Sequence, residues 1–248
     1  RFHAIYWPAM LMSAGLEIPK KVFGHGFLTR EGQKMGKSLG NVLDPNIFLD
    51  SYGSDAIRWF LLRDIEFGQD GDYQHQRFID TVNNDLSNTI GNLLNRTLTM
   101  SRNWFNGQVP KLDPHIRNSE LENQSISAIK HYKSEFSQLA YKKASQTLID
   151  LATKANIYLN DNQPWKKIKD PINKNEVANT IYNVLETCRI IGILIKPLTP
   201  NLSRRIMSQL GLNKDFDLWQ PILKWGLLEE GQNLSVPDPV MNKIELKA

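Results

Sequence analysis

The sequence predicts an α/β segment joined to an all-α helical bundle. Up to about residue 75 the chain mixes short helical stretches with a β-rich, glycine-punctuated run. That run leads into a loop dense in lysine and glycine, residues 32–41. From about residue 78 onward, apolar residues recur only at helical spacing. The division is therefore residues 1–75 for the α/β part, 76–230 for the bundle and 231–248 for a polar tail.

Each element has its own signal. Residues 3–14 suit a short helix with its bulky groups on one side, ended by Gly15. Residues 22–29 are rich in β formers and read as a sheet strand. Residues 45–52 and 54–63 read as two short helices separated by Gly53, with Asp55 in the first turn of the second, where the helix dipole favours negative charge. Leu86, Ile90, Leu93, Thr97 and Met100 form one stripe of a helix over 84–104. Two helices are expected in 125–159, from Ile126, Ile129, Phe136, Leu148, Leu151 and Ala155. Ile181, Val184, Leu185, Cys188 and Ile191 mark another over 177–195, and a last one over 202–210 closes at Gly211. The links 107–119 and 161–176 are polar and carry proline, so they read as loops. The end from Gly231 reads as mobile.

Composition excludes several classes of protein. The chain has 248 residues and 41% apolar content, enough for one large or two modest cores. A net charge of +4 is compatible with nucleic acid without being diagnostic of it. Cys188 is the only cysteine, which rules out a disulfide framework or a zinc–cysteine cluster and makes a reducing, cytoplasmic location the default. It lies in an apolar helical pattern and reads as a small buried hydrophobe. No apolar run approaches the roughly 18 residues of a membrane span. The opening at Arg1, without an initiator methionine, reads as a fragment.

The chemistry-bearing motif is the run from Gly32 to Asn41. Glycines let backbone approach a ligand closely, and Lys34 and Lys37 supply mobile charges for phosphate oxygens. Gly36-Lys37-Ser38 matches the second half of a Walker A loop, but position 31, where its first glycine belongs, holds Glu31. A carboxylate there would turn negative charge toward the phosphates. A solvated basic turn is the plain alternative.

A second constellation lies in the bundle. Asn92 and Arg96 stack on one helix face with Asn88, Asn95 and Thr99, opposite the Leu86, Ile90 and Leu93 stripe. Amides and a guanidinium suit the edges of unstacked RNA bases. Trp165 follows Pro164 in an expected loop, where an indole can stack on a splayed base for about 1–3 kcal/mol. Lys166, Lys167 and Lys169 beside it would attract phosphates. An ordinary solvated face and a tryptophan folded back on its bundle remain open readings.

Lys34-Met35-Gly36-Lys37-Ser38 resembles the K-M-S-K-S loop of class I aminoacyl-tRNA synthetases, with Gly36 replacing the middle serine and expected to loosen the loop. The segment from Arg1 to Leu11 resembles the flank of the methionine pocket in the methionyl-tRNA synthetase family. His25-Gly26-Phe27-Leu28-Thr29 resembles that family's adenine-facing strand, and the segment from Tyr52 to Arg58 resembles the helix after its lysine loop. The run from Gly91 to Arg96 and Gln163-Pro164-Trp165 resemble its anticodon-reading elements. The likeness covers residues 1 to about 230.

This resemblance implies the C-terminal part of a Rossmann-like catalytic domain followed by an anticodon-binding bundle. It implies ligation of methionine to tRNA using ATP with Mg2+, on both initiator and elongator methionine tRNAs. Lys37 and Lys34 would be catalytic. ATP would be bound by Lys37, Lys34, Ser38, His25, Gly26 and Leu28, methionine by His3, and the anticodon by Asn92, Arg96 and Trp165. No metal ligands are identified. The family's H-I-G-H element and metal-binding insertion are absent from this sequence, so the fragment is expected to be inactive alone. Another class I synthetase, for leucine, isoleucine, valine or cysteine, and a non-catalytic tRNA-binding module are the rivals.

Overall fold

Helices carry most of the backbone hydrogen bonding in the computed structural model, which describes residues 1–113, 115, 119–212 and 223–245. The expected 107–119 link and the closing part of the tail lie partly outside these residues. At the front, a π-helical turn (Phe2–Tyr6) runs into α1 (Trp7–Ser13), and Gly15 ends it at φ +70°. Neither contains a buried residue, and Phe2 and Met10 are 73% and 64% exposed. The bulky groups of this helix thus face solvent and not a core.

The strand expected over 22–29 shrinks to β1 (Leu28–Arg30). Its antiparallel neighbour is β2 (Gln33–Lys34) and its parallel neighbour is β3 (Gly71–Tyr73), in the order β2-β1-β3. A strand exists only where a partner meets its backbone. Residues 22–26 have none, and the ladder fades at Phe27, whose carbonyl accepts the Gly71 N–H at 2.8 Å. Strands as short as β2 and β3 are invisible to any alternation test.

Between β1 and β3 lies α2 (Pro45–Arg63), kinked at Gly53 with φ 74° and ψ 160°. Asp44 caps its start by accepting the Asn46 N–H at 2.8 Å. The division into two helices at Gly53 therefore appears as one helix with a break, in a conformation that glycine adopts without strain.

The bundle begins with α3 (His75–Val82), which continues through a π-helical stretch (Asn83–Gly91) into α4 (Asn92–Trp104). The helix expected over 84–104 is thus the rear of a longer one. Then come α5 (Glu120–Ser137), α6 (Tyr141–Asn162), the one-turn α7 (Pro164–Lys167), α8 (Lys174–Leu194) and α9 (Pro200–Gln209). The axis of the bundle is α8, in which every residue from Val177 to Leu194 is buried. Cys188 sits there at 3% exposure, its thiol pushed up to about 12 by burial, as a small apolar filler should be. A helix surrounded on all sides must satisfy its polar members internally. Glu186 does so by taking the Arg189 guanidinium at 3.0 Å and the N–H groups of Gly226, Leu227 and Leu228.

Two expectations fail for identifiable reasons. The link 161–176 is mainly helical, because Pro164 and Pro171 each open a helical turn, a position where the missing N–H costs nothing. Gln163, at φ 44°, makes the break before α7. The tail is also docked, not mobile. Leu234 N–H bonds Gly107 O at 2.8 Å, Ser235 N–H bonds Gln209 O at 2.9 Å, and Asn83 and Ile244 exchange two hydrogen bonds. Val240 is 2% exposed. Isolated apolar residues without a period gave no sign of this.

The α/β part and the bundle meet on the second half of α2. Asp55, 7% exposed, accepts the Leu202 N–H in the first turn of α9 at 2.6 Å. Arg58 donates to the Leu198 and Pro197 carbonyls at 2.9 and 2.6 Å. Trp59 Nε1 and Arg63 Nε both reach Asp85 Oδ2 at 3.1 Å. Replacing Asp55 with alanine leaves a buried helix N–H without its acceptor, a loss of about 1–3 kcal/mol. Asp55→Ala should lower the thermal midpoint markedly, whereas Asp55→Asn, which retains an acceptor oxygen, should lower it less. Equal midpoints for Asp55→Ala and the parent would show that the cap carries no stability.

Candidate functional site

The lysine loop is built outward from a tight hairpin. Glu31 and Gly32, the two residues between β1 and β2, have φ of 52° and 75°, the signature of a type I′ turn. Glutamate is a poor choice for a left-handed position, and the turn is held from the third strand instead. Asp72 accepts the Gly32 N–H at 2.8 Å and the Thr29 hydroxyl at 2.7 Å. The Gly32 N–H is the main reason that the Asp72 carboxyl is held below the usual carboxylate range.

Beyond the hairpin, Gly36 leads into a 3-10 turn (Lys37–Leu39) closed by Gly40 at φ 63°. The side chain of Asn41 staples this loop, accepting the Gly36 N–H at 2.9 Å and donating to Lys34 O at 3.2 Å. Sequence reasoning passed over Asn41, although asparagine after a turn glycine is the residue type that bonds nearby backbone. Gly36 itself adopts φ −152°, open to any residue, and an added Cβ would meet nothing closer than Leu39 at 3.6 Å. The expected loosening is therefore countered by the staple. Lys34, Lys37 and Ser38 are all exposed. The side chains of Lys37 and Ser38 make no hydrogen bond to another described residue, and the Lys34 ammonium lies 5.7 Å above the Phe27 ring.

Of the other candidates on this side, His25 is exposed, stacked on Phe67, with Nδ1 2.9 Å from Gly26 O. Gly26 is needed because a Cβ there would lie 2.2 Å from Gln69 O, so the close approach that its flanks suggested is made by the chain's own backbone. Leu28 pairs with Gly71 in the sheet, and its side chain lines an apolar hollow of about 290 Å3 with Met35, Leu43, Phe48 and Tyr73. His3 stands exposed on the Phe2–Tyr6 turn.

In the bundle, two of the singled-out residues, Arg96 and Trp165, come together, and Asn92 lies one helical turn from Arg96. Asn92 opens α4 and is exposed, and Arg96 follows one turn later. Arg96 Nη2 donates to Asn160 Oδ1 at 3.1 Å, and its guanidinium lies 5.7 Å from the centre of the Trp165 ring. Trp165 sits on α7 and not in a loop, 36% exposed, so it is neither folded into the core nor free. Asn160 escaped notice because the segment just after it was read as loop; continuing α6 to Asn162 puts it on a helix facing Arg96. Lys167 is paired with Glu176, which leaves Lys166 and Lys169 as the ammonium groups beside the indole without that partner.

Comparison with known proteins follows this division. Residues 1–98 match the family of tRNA synthetases class I (M), and residues 112–247 match the anticodon binding domain of methionyl tRNA ligase. The methionine–tRNA ligase of Synechocystis sp. is 43% identical over 263 residues, covering 100% of this chain and 49% of that protein. The chloroplastic/mitochondrial methionine–tRNA ligase of Arabidopsis thaliana is 43% identical, covering 99% and 41%. Mycobacterium tuberculosis methionyl-tRNA synthetase in complex with methionyl-adenylate superimposes with a TM-score of 0.90 at 34% identity, covering 97% of this chain and 48% of that one. The chain thus spans about half the length of the relatives it matches.

A depressed carboxyl contributes stability above its unfolded value and loses it as pH falls through the folded value. Protection of the Gly32 amide, relative to its intrinsic exchange rate, should therefore hold at neutral pH and drop in acid below the ordinary aspartate range. Asp72→Asn should abolish that acid-dependent drop, and a parent-like acid profile in this variant would remove Asp72 from the turn's support. With a helical anticodon-binding domain following a Rossmann-like part, the chain belongs to the methionyl-tRNA ligase family.

Proposed function

We propose that this chain is the part of a methionine–tRNA ligase that completes the ATP site and reads the anticodon. The observation that carries the reading is the meeting of Arg96, Asn160 and Trp165 on the bundle surface, together with a lysine loop whose charged groups face solvent. Residues 1–75 serve the ATP side, 76–230 the tRNA side, and 231–248 form the closing tail. Likeness to a synthetase solved with methionyl-adenylate supports this assignment.

In the first step the methionine carboxylate attacks the α-phosphorus of ATP in line and pyrophosphate leaves. The methionyl group then passes from the adenylate to the tRNA 3′ end, releasing AMP. Such chemistry rests on positioning and on neutralising developing charge. Lys37 neutralises the departing pyrophosphate, Lys34 assists, and Ser38 donates a hydrogen bond. His25, Gly26 and Leu28 form the adenine side, and His3 borders methionine. The exposed ammonium groups and hydroxyl of the loop fit a triphosphate. Mg2+ would enter with the triphosphate and add charge neutralisation to that of Lys37 and Lys34; among the described residues no group of three or more His, Cys, Asp or Glu could hold a metal ion. Initiator and elongator methionine tRNAs are the RNA partners. The single buried thiol suits a reducing cytoplasm, and among the described residues no helix is long and apolar enough to cross a membrane.

In the ligase that carries this chain, Lys37→Ala should depress ATP–pyrophosphate exchange by about 10²–10³ with methionine affinity little changed. Equal loss of both would make the lysine structural. Trp165→Ala should weaken methionine tRNA binding by about 1–3 kcal/mol and leave exchange intact. Unchanged tRNA affinity in both Trp165→Ala and Arg96→Ala would sink the anticodon reading.

A further inference from the structure

At the end of the lysine run, the half-buried side chain of Asn41 ties down two points of the loop's backbone, at Lys34 and at Gly36. The geometry points to Asn41 as a positioning residue for adenylate formation. It holds the loop in its triphosphate-ready shape before ATP arrives, and acts through Lys34 and Lys37 without touching substrate. The inference rests on the ATP reading of the loop given above.

The position demands a carboxamide. The Gly36 N–H can only donate and the Lys34 carbonyl can only accept, so a partner shared by both must offer one oxygen and one N–H. Asn41 offers them at 2.9 and 3.2 Å. A carboxylate could serve Gly36, but would set a second acceptor against the Lys34 oxygen. The side chain can reach back because Gly40, at φ 63°, reverses the chain after the Lys37–Leu39 turn, a conformation that suits glycine. That turn has its own bonds from Leu39 N–H to Gly36 O at 3.0 Å and from Gly40 N–H to Lys37 O at 3.3 Å. Asn41 is what joins the turn to the end of strand β2, so it fixes how Lys37 stands relative to Lys34.

The groups presented in this way have little support of their own. The side chains of Lys37 and Ser38 make no hydrogen bond to another described residue. Met35, between the two lysines, is the one side chain of the run that lines the apolar hollow. Gly36 brings the widest backbone freedom of any residue type to the point where the loop bends. Without the tie, ATP would have to order the loop as it binds, which weakens binding. The ammonium of Lys37 would also meet the leaving pyrophosphate in the right place less often, which slows the step.

The test is ATP–pyrophosphate exchange in the ligase that carries this chain, with ATP and methionine varied separately. Asn41→Ala should lower kcat about tenfold or more and raise KM for ATP about three- to fivefold, with methionine affinity little changed. In a Lys37→Ala chain the same change should lower kcat by about twofold or less, because the group it positions is gone. Hydrogen exchange across residues 33–40 should be faster in Asn41→Ala than in the parent without ATP. The tie lies within one surface loop, so the variant should melt with the parent. Parent-like kinetics in Asn41→Ala, with Lys37→Ala still depressed, would overturn the positioning role and leave the ATP reading standing. Parent-like kinetics in Lys37→Ala would overturn both. Full additivity of the two losses, or a slow Asn41→Ala enzyme that also melts well below the parent, would reduce Asn41 to a structural residue and overturn the inference.

Discussion

The carboxylate of Asp55, buried against the first turn of α9, is the interaction on which the relation between loop and bundle depends. It completes a helix end that would otherwise keep an unpaired N–H in a dry place. On the same side of α2, Arg58 takes the Pro197 and Leu198 carbonyls in the link between α8 and α9, and Arg63 and Trp59 share Asp85. Burial pushes the Asp85 carboxyl up, with the Arg63 charge opposing that push. Helix α2 is thus gripped along its second half while its first half, before Gly53, leads straight back to the lysine loop. A second seam joins the two parts beyond α2, where Phe67 packs on Tyr141 and Lys142 donates to Asp64 O.

The bundle surface follows a different logic. Its core is organised by α8, whose burial from Val177 to Leu194 leaves the outer helices to present one face each. Arg96, Asn160 and Trp165 come from three separate elements, and their agreement depends on the lengths of α4 and α6 and on the break at Gln163. On the proposed reading, guanidinium, amide and indole together offer a platform for a base plane flanked by hydrogen-bonding edges.

How much of this was legible follows from scale. Long amphipathic helices announced themselves, down to the Gly53 break and the Gly211 stop, because many turns repeat one pattern. The lysine loop was legible from its residue types alone. What escaped was set by partners distant in sequence. Strand β3 exists because residues 71–73 meet β1, and the tail docks because Asn83 waits for Ile244. Asn160, which positions the guanidinium, lies outside any motif, and Asn41, which positions the loop, is the uncharged last residue of the lysine run. Pro164 and Pro171 misled because the same residue that ends a helix also starts one.

Arg96 is held by a neutral amide and an aromatic face, and forms no ion pair with a carboxylate among the described residues. A dipole and a quadrupole orient a guanidinium without cancelling its charge, and neither is screened as a counter-charge would be. On the proposed reading, the shape of this face should therefore persist at ionic strengths that erase its attraction for RNA. That proposal separates pre-organisation from long-range pull, which are usually entangled in a nucleic-acid site.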